Sequence, residues 1–238
     1  MTGETDGPPG ALVLADALHK MGKEVALVTD QYSSFLLKAG LTCYANDLVI
    51  HTISDHQETA DDEMLQLIEA FTPEHSVAIE RPGRALDGHS YSMRGEKLDH
   101  VIPQLDLLFD PPCDRPYVTT AIGDGGNEMG MGKVYDFIRC HVHLGKKIGC
   151  VTKADYVIPA GISNWAGYGL AAALSLLSRQ NLLPPPGTER NVLEKMVQAG
   201  AVDGCTKKRE VSVDGVPLDI YLNVIEDIIR IVNDYPGD

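Results

Sequence analysis

The chain has 238 residues, with 34 acidic against 20 basic side chains and a formal net charge of −14. That balance excludes a general nucleic-acid binder, whose cationic surface must displace counterions, and a protein that docks on an anionic membrane. Hydrophobic residues make up 44% and charged residues 23% of the chain, proportions of a folded domain, and the length suits a single domain over 1–238. No apolar run reaches the ~18 residues of a membrane helix.

In chain order, the polar, Gly/Pro-rich start MTGETDGPPG has neither a signal nor a transit pattern. Helical spacing of apolar residues predicts a helix over 10–21, entered through Pro8-Pro9. KEVALVTD (23–30) reads as a strand, 33–39 as a helix stopped by Gly40, and LVIHTIS (48–54) as a second strand. An acidic-faced helix follows over 59–71, its first turn holding Asp61, Asp62 and Glu63. Further strands are predicted at 75–80, 117–124 and 146–152, with an extended or strand segment at 154–161. Helices are predicted at 168–180, 188–199 and 219–233, with a hairpin over 210–218 turning at Asp214-Gly215. DYPGD reads as a frayed tail. Strands alternating with helices imply an α/β fold with a mainly parallel sheet covered on both faces, whose ligands bind beyond the C-terminal strand ends.

The five cysteines, at 43, 113, 140, 150 and 205, lack zinc spacing and are expected to be reduced, mostly buried thiols. The histidines form no HExxH or compact triad and read as surface or packing residues, His89 and His100 less clearly so because they flank a polar cluster.

Four clusters carry candidate chemistry. Glu4 and Asp6 stand two residues apart before a helix, as a cap or as a rigid turn aiming two carboxylates at one point. Glu80, Arg81, Arg84, Asp87, Tyr91 and Arg94 begin at a strand end; either Arg84 or Arg94 suits a two-pronged grip on a carboxylate, against the plainer reading of a solvated loop. In GDGGNEMGMG, five glycines fall within 123–132 directly after a strand. Their amides suit an anion, whereas Asp124, Asn127 and Glu128 are hard oxygen ligands of the kind that hold Mg²⁺, Mn²⁺ or Ca²⁺. The glycines do not fit GxGxxG and no GK[ST] follows, so no nucleotide cofactor is expected. Finally, Ser163 and Asn164 precede a helix beside the only tryptophan, Trp165; no GxSxG surrounds Ser163, which makes a cap the plainer role, with Trp165 in the core or a pocket wall.

ETDGPPGA, ER-GR-x-x-DG-x-x-Y, GDGGNEMGMGKV, AD-x-x-I-x-AG and SNWAGYGL occur here in that order. Together they resemble the D-glutamate cyclase family over about residues 3–173. The resemblance implies a Rossmann-like three-layer α/β/α sandwich and the interconversion of D-glutamate with 5-oxo-D-proline and water. It implies a lyase of amino-acid metabolism, mitochondrial (in the matrix) in animals and stand-alone, hence cytoplasmic, in microbes. Some relatives have an acidic divalent-metal pocket, and a metal-dependent phosphatase activity is attributed to one. The family usually has a strand and a glycine loop before ETDGPPG, so a first strand upstream of Met1 is expected to be missing here; Ser92 stands where the family commonly has Asn.

On that resemblance, Glu80 or Glu128 would act as base. Glu4, Asp6, Asp124 and Glu128 would bind a divalent cation or the substrate ammonium, with Asp124 also among the catalytic groups. Arg84 would grip the α-carboxylate, and Asp87, Tyr91, Asn127, Ser163 and Asn164 would complete the pocket. The carboxylates of Glu4, Asp6, Glu80, Asp124 and Glu128 are expected to converge beyond the strand ends. The expected partner is a small-molecule substrate, with neither nucleic acid nor membrane, in a possible homo-oligomer. The alternatives are a metal-dependent phosphohydrolase and a non-catalytic metal or small-molecule sensor.

Overall fold

A computed structural model describes residues 3–112 and 114–235; Cys113 and the last three residues of the expected tail lie outside them. The chain is of mixed α/β class and forms two compact units: Met1–Thr52 with Ile162–Asp238, and Ile53–Gly161.

The first, discontinuous unit holds α1 (Pro8–Lys20), β1 (Ala26–Asp30) and α2 (Gln31–Leu41), with β2 (Val49–Ile53) at the boundary. It then resumes with α6 (Ser163–Ser178), α7 (Thr188–Ala199), the short hairpin β6 (Ser212–Val213) and β7 (Val216–Pro217), and α8 (Leu218–Asp234). β1 pairs with β2. Val13, Tyr168, Leu193 and Tyr221 anchor one apolar cluster, and Leu12, Leu36, Val192 and Met196 another. Asp30 ends β1 and caps α2, accepting from the amides of Tyr32 (2.8 Å) and Ser33 (3.0 Å). Gly40 lies inside α2 and does not end it: a side chain there would strike Leu12 Cδ1 at 2.6 Å, so glycine permits the close helix contact.

The second unit contains α3 (Gln57–Phe71), β3 (His75–Ile79), β4 (Val118–Gly123), α4 (Tyr135–His141), α5 (Gly145–Ile148) and β5 (Tyr156–Pro159). Its three strands are parallel in the order β3-β4-β5. The expected strand over 146–152 is absent. That run is apolar because it is buried: Cys150 N–H donates to Gly126 O (3.0 Å) and Val151 N–H to Arg84 O (2.9 Å), bonding to loops where a strand would bond to a sheet. The segment read as strand or extended, 154–161, supplies the third strand instead. Cys43, Cys140, Cys150 and Cys205 are free thiols, but only Cys150 is buried, so the expectation of mostly buried thiols does not hold among the described residues. No helix of the described residues is long and apolar enough to cross a membrane.

Candidate active site

The second unit places two acids at adjacent strand ends. Ile79 pairs with Ile122 in the parallel register, so Glu80 leaves β3 beside the end of β4, and its amide donates to Ile122 O at 3.0 Å. Glu80 has φ +56°, the left-handed region that a side chain other than glycine occupies at a cost. One carboxylate oxygen of Glu80 lies within 4.8 Å of one of Asp124, which follows the last residue of β4. Two hard oxygen donors thus stand together where a parallel sheet offers its C-terminal ends.

Glu128 sits beneath the glycine loop and is buried. Its carboxylate accepts from the amides of Gly125 and Gly126, both at 2.6 Å, and from that of Asp124 at 3.4 Å. The amides expected to cradle an anion therefore hold one belonging to the chain itself. Burial raises the Glu128 pKa, and these same amide bonds oppose the rise. Glycine is required in the loop: Gly126 and Gly130 have φ +96° and +98°, and a side chain at Gly123 would strike the Glu128 carboxyl carbon at 2.7 Å.

Asn127 ties the loop to the preceding hairpin, its side-chain N–H donating to Tyr91 O at 2.8 Å. Within that hairpin the Tyr91 hydroxyl donates to Asp87 at 2.5 Å. This bond lowers the Asp87 pKa and, with burial, pushes Tyr91 up to about 12. The Arg84 backbone is fixed, its amide donating to Asp106 at 3.0 Å, while its guanidinium reaches Asp110 at 3.8 Å across a partly exposed surface. His89 is held at Nδ1 by Asp99 (2.7 Å).

In the first unit, Asp6 and Asn164 exchange helix caps. The Asp6 carboxylate accepts from the amides of Ser163 (2.8 Å) and Asn164 (2.9 Å), satisfying the start of α6, and from its neighbour Gly7 (3.0 Å). Asn164 Oδ1 accepts from the amides of Gly7 (3.0 Å) and Gly10 (2.8 Å), satisfying the start of α1, while Nδ2 donates to Thr5 O (3.0 Å). The reading of Ser163 or Asn164 as the cap of its own helix is corrected: Asp6 caps α6, and this distant partner lets the helix begin at Ser163 instead of 168. Close approach follows, since a side chain at Gly167 would strike Gly10 O at 2.6 Å. Burial, then the charge of Asp214, raises the Asp6 pKa to about 7 against its three amide bonds. Glu4 is differently placed, its carboxylate ion-paired with Lys207 at 2.5 Å. Trp165 is partly buried against the core, stacked on Tyr221 at 5.9 Å, as a wall residue would be.

Local sequence gave no signal for Glu189, a buried acid in the first turn of α7, or for Asp106, which accepts from both Arg84 N–H and the Thr152 hydroxyl. Each resembles an ordinary first-turn acid, and only the fold buries it.

The human protein D-glutamate cyclase, mitochondrial, is 40% identical over 184 residues, covering 73% of this chain. The match takes in 30% of that relative's length, so the chain spans about a third of it. Residues 1–229 match the family described as D-glutamate cyclase-like, C-terminal. With the ordered motifs and the match extending far beyond them, the chain belongs to the D-glutamate cyclase-like family.

Proposed function

We propose that this chain interconverts D-glutamate with 5-oxo-D-proline and water, as a hydro-lyase of the D-glutamate cyclase type. Family membership supports the reaction class. The single structural observation that carries the site is the paired Glu80 and Asp124 carboxylates at adjacent parallel strand ends, one of them on a strained backbone.

Cyclisation forms the bond between the α-nitrogen and the carbon of the γ-carboxyl group and breaks one bond from that carbon to oxygen, which leaves as water. The nitrogen gives up two protons over the reaction, the first from the ammonium before attack, and the departing carboxylate oxygen takes up two to leave as water. Glu80 is our choice for the base. Glu128, whose oxygens are engaged by the loop amides, is assigned to holding that loop and hence Asp124. Arg84, with its backbone fixed and its guanidinium partly exposed, is assigned to the substrate α-carboxylate. Asp87, Tyr91 and Asn127 would shape the hairpin wall.

The Glu80 and Asp124 oxygens have the chemistry of a site for Mg²⁺, Mn²⁺ or Ca²⁺. Bound there, such an ion would polarise the γ-carboxylate as a Lewis acid. Glu4 is a poorer ligand than the sequence suggested because Lys207 already neutralises it. The phosphohydrolase reading ranks lower because the glycine-loop amides it would use for phosphate are directed at Glu128.

The test is product analysis. Purified chain incubated with D-glutamate or 5-oxo-D-proline should yield the other compound, and the L-forms should react more slowly. Release of inorganic phosphate from an aryl phosphate without 5-oxoproline turnover would overturn the proposal in favour of the phosphohydrolase.

A further inference from the structure

The second unit holds a buried acid that the proposed chemistry does not use. Asp106 opens a single 3₁₀ turn, Asp106–Leu108, and is 4% exposed. Two donors share its Oδ1: the Arg84 amide at 3.0 Å and the Thr152 hydroxyl. Its Oδ2 is buried and has no hydrogen-bond partner among the described residues. Taking a carboxyl group out of water and leaving one oxygen unsatisfied costs stability. The bonds that offset this cost are the two at Oδ1, so what they hold identifies what the residue is for.

Those bonds belong to a closed ring. Val151 N–H donates to Arg84 O at 2.9 Å, so Arg84 is held through both polar groups of its backbone. Thr152, the residue after Val151, closes the ring onto Asp106. The same turn reaches the Arg84 head group. Asp106 O accepts from the Asp110 amide at 2.8 Å, and the Asp110 carboxylate lies 3.8 Å from the Arg84 guanidinium. One turn thus fixes where the Arg84 side chain leaves the backbone and carries the acid that meets its far end. Asp110 is exposed, and such a pair is worth little in water, so a substrate carboxylate replaces it at small cost. All of these residues belong to the second unit, as do Glu80 and Asp124. We propose that Asp106 is a positioning residue for Arg84, its carboxyl group anchored by Thr152 and holding the Arg84 backbone so that the guanidinium is set for the substrate α-carboxylate. The positioning stands on the hydrogen bonds; its effect on turnover rests on the cyclase reading and on the role of Arg84 within it.

The experiment uses the full chain. Thr152→Val removes the hydroxyl that anchors Asp106 and keeps the shape of the side chain, and Thr152→Ser keeps the hydroxyl. Thr119→Val is the control: Thr119 is also buried in the second unit, and its hydroxyl bonds Asp155 near the start of β4, at the other end of that strand from Asp124. The first readout is hydrogen exchange of the Arg84 amide by NMR, because its acceptor is Asp106 Oδ1. Thr152→Val should speed it roughly tenfold or more relative to the global opening rate, while Thr152→Ser and Thr119→Val leave that ratio unchanged. The second readout is turnover of D-glutamate. Thr152→Val should raise KM roughly fivefold or more with kcat within about twofold of wild type, because Arg84 grips the α-carboxylate in ground and transition states alike. In an Arg84→Ala background the same substitution should leave KM where it is, since the group being positioned is gone. Asp106→Ala should match Thr152→Val in both readouts; if it does not fold, the Thr152 variants decide. An unchanged Arg84 exchange ratio in Thr152→Val, or an equal rise in Thr119→Val, would overturn the proposal and make Asp106 a core contact only. So would a KM effect that persists without the Arg84 side chain. A wild-type chain without turnover would defeat the cyclase reading, while the exchange comparison would still judge the positioning.

Discussion

Asp6 and Asn164 each cap the helix on which the other lies or which it leads into, across 158 residues of sequence. Two helix N-termini that would otherwise bury orphan amides are satisfied by one exchanged pair of side chains. The same exchange removes Asp6 from solvent and raises its pKa to about 7. The exchange therefore both completes two helix starts and sets the environment of one buried carboxyl.

Removing the amide should be costly. In Asn164→Ala the Gly10 amide and Thr5 O lose their partners inside the protein. Each buried group left unsatisfied costs roughly 1–3 kcal/mol, so urea denaturation should show a loss of about 2–5 kcal/mol. Asn164→Asp keeps the acceptor oxygen for Gly7 and Gly10 but replaces the donor to Thr5 O with a second oxygen and sets a carboxylate against Asp6, and should be more damaging at pH 8 than at pH 5. A neutral Asn164→Ala would show that water replaces the lost bonds.

Glu80 holds a conformation that glycine adopts freely. Glu80→Gly should raise stability by about 1 kcal/mol in denaturant titration while abolishing 5-oxoproline formation. A stability gain with activity lost is the signature of strain kept for function. If Glu80→Gly destabilises, the contacts of the carboxylate outweigh the strain and the argument for a strained functional residue fails.

Much of this was legible from residue order. HSVAIE and YVTTAIGD are β-rich runs ending in acids, and they form neighbouring parallel strands whose ends present Glu80 and Asp124. KKIGCVT is equally apolar and is no strand, because burial between loops and burial in a sheet select the same side chains. GDGGNE announced a tight loop, but its composition is equally that of a ligand cradle and of a loop folded around its own glutamate. The start of α6 and the positive φ of Glu80 were not legible at all. The first depends on a cap supplied from the far end of the chain, and the second on tertiary constraint.

Stability should fall as pH rises from about 4 to 7. Burial raises the pKa of Asp6 from 3.8 to about 7 and that of Glu189 from 4.5 to about 7, so the folded chain binds more protons than the unfolded chain throughout that window. The contribution of Glu189 is fully present below its unfolded value and lost by about pH 7, a change on the order of 3 kcal/mol. Urea midpoints measured from pH 4 to 8 should slope downward and level off above 7, and Glu189→Gln should flatten part of the slope. Asp155, held well below the usual range by Arg115, acts with the opposite sign, and only in more acidic solution. A wild-type midpoint constant across the window would show that both acids ionise normally.

Glu128→Gln separates two roles for that residue. If the carboxylate organises the glycine loop, replacing one oxygen by an NH₂ sets donor against donor beneath Gly125 or Gly126. Stability should then fall by about 2–4 kcal/mol, with activity lost alongside it. If Glu128 were the base, the variant would fold with nearly wild-type stability and be inactive. Paired thermal denaturation and 5-oxoproline assays decide between the two.

The last prediction concerns a cation. Like charges as close as the Glu80 and Asp124 oxygens repel, and a proton, a substrate ammonium or a metal ion relieves the repulsion. A single ion with ligands at about 2.0–2.6 Å joins two such oxygens after only a small movement. An ion that binds the folded chain alone stabilises it by RT ln(1 + [L]/Kd), about 2.7 kcal/mol at a hundredfold excess over Kd. Mn²⁺ or Mg²⁺ added to chelator-treated protein should therefore raise the Tm by several degrees, and Asp124→Asn or Glu80→Gln should remove most of the shift. Glu4→Gln should retain it, because the Glu4 carboxylate is engaged by Lys207 at 2.5 Å. Scanning calorimetry of the four proteins with each ion tests this directly. Loss of the shift in Glu4→Gln would move the ion to the Asp6 turn, and no shift in the wild type would leave the substrate ammonium or a shared proton to compensate the pair.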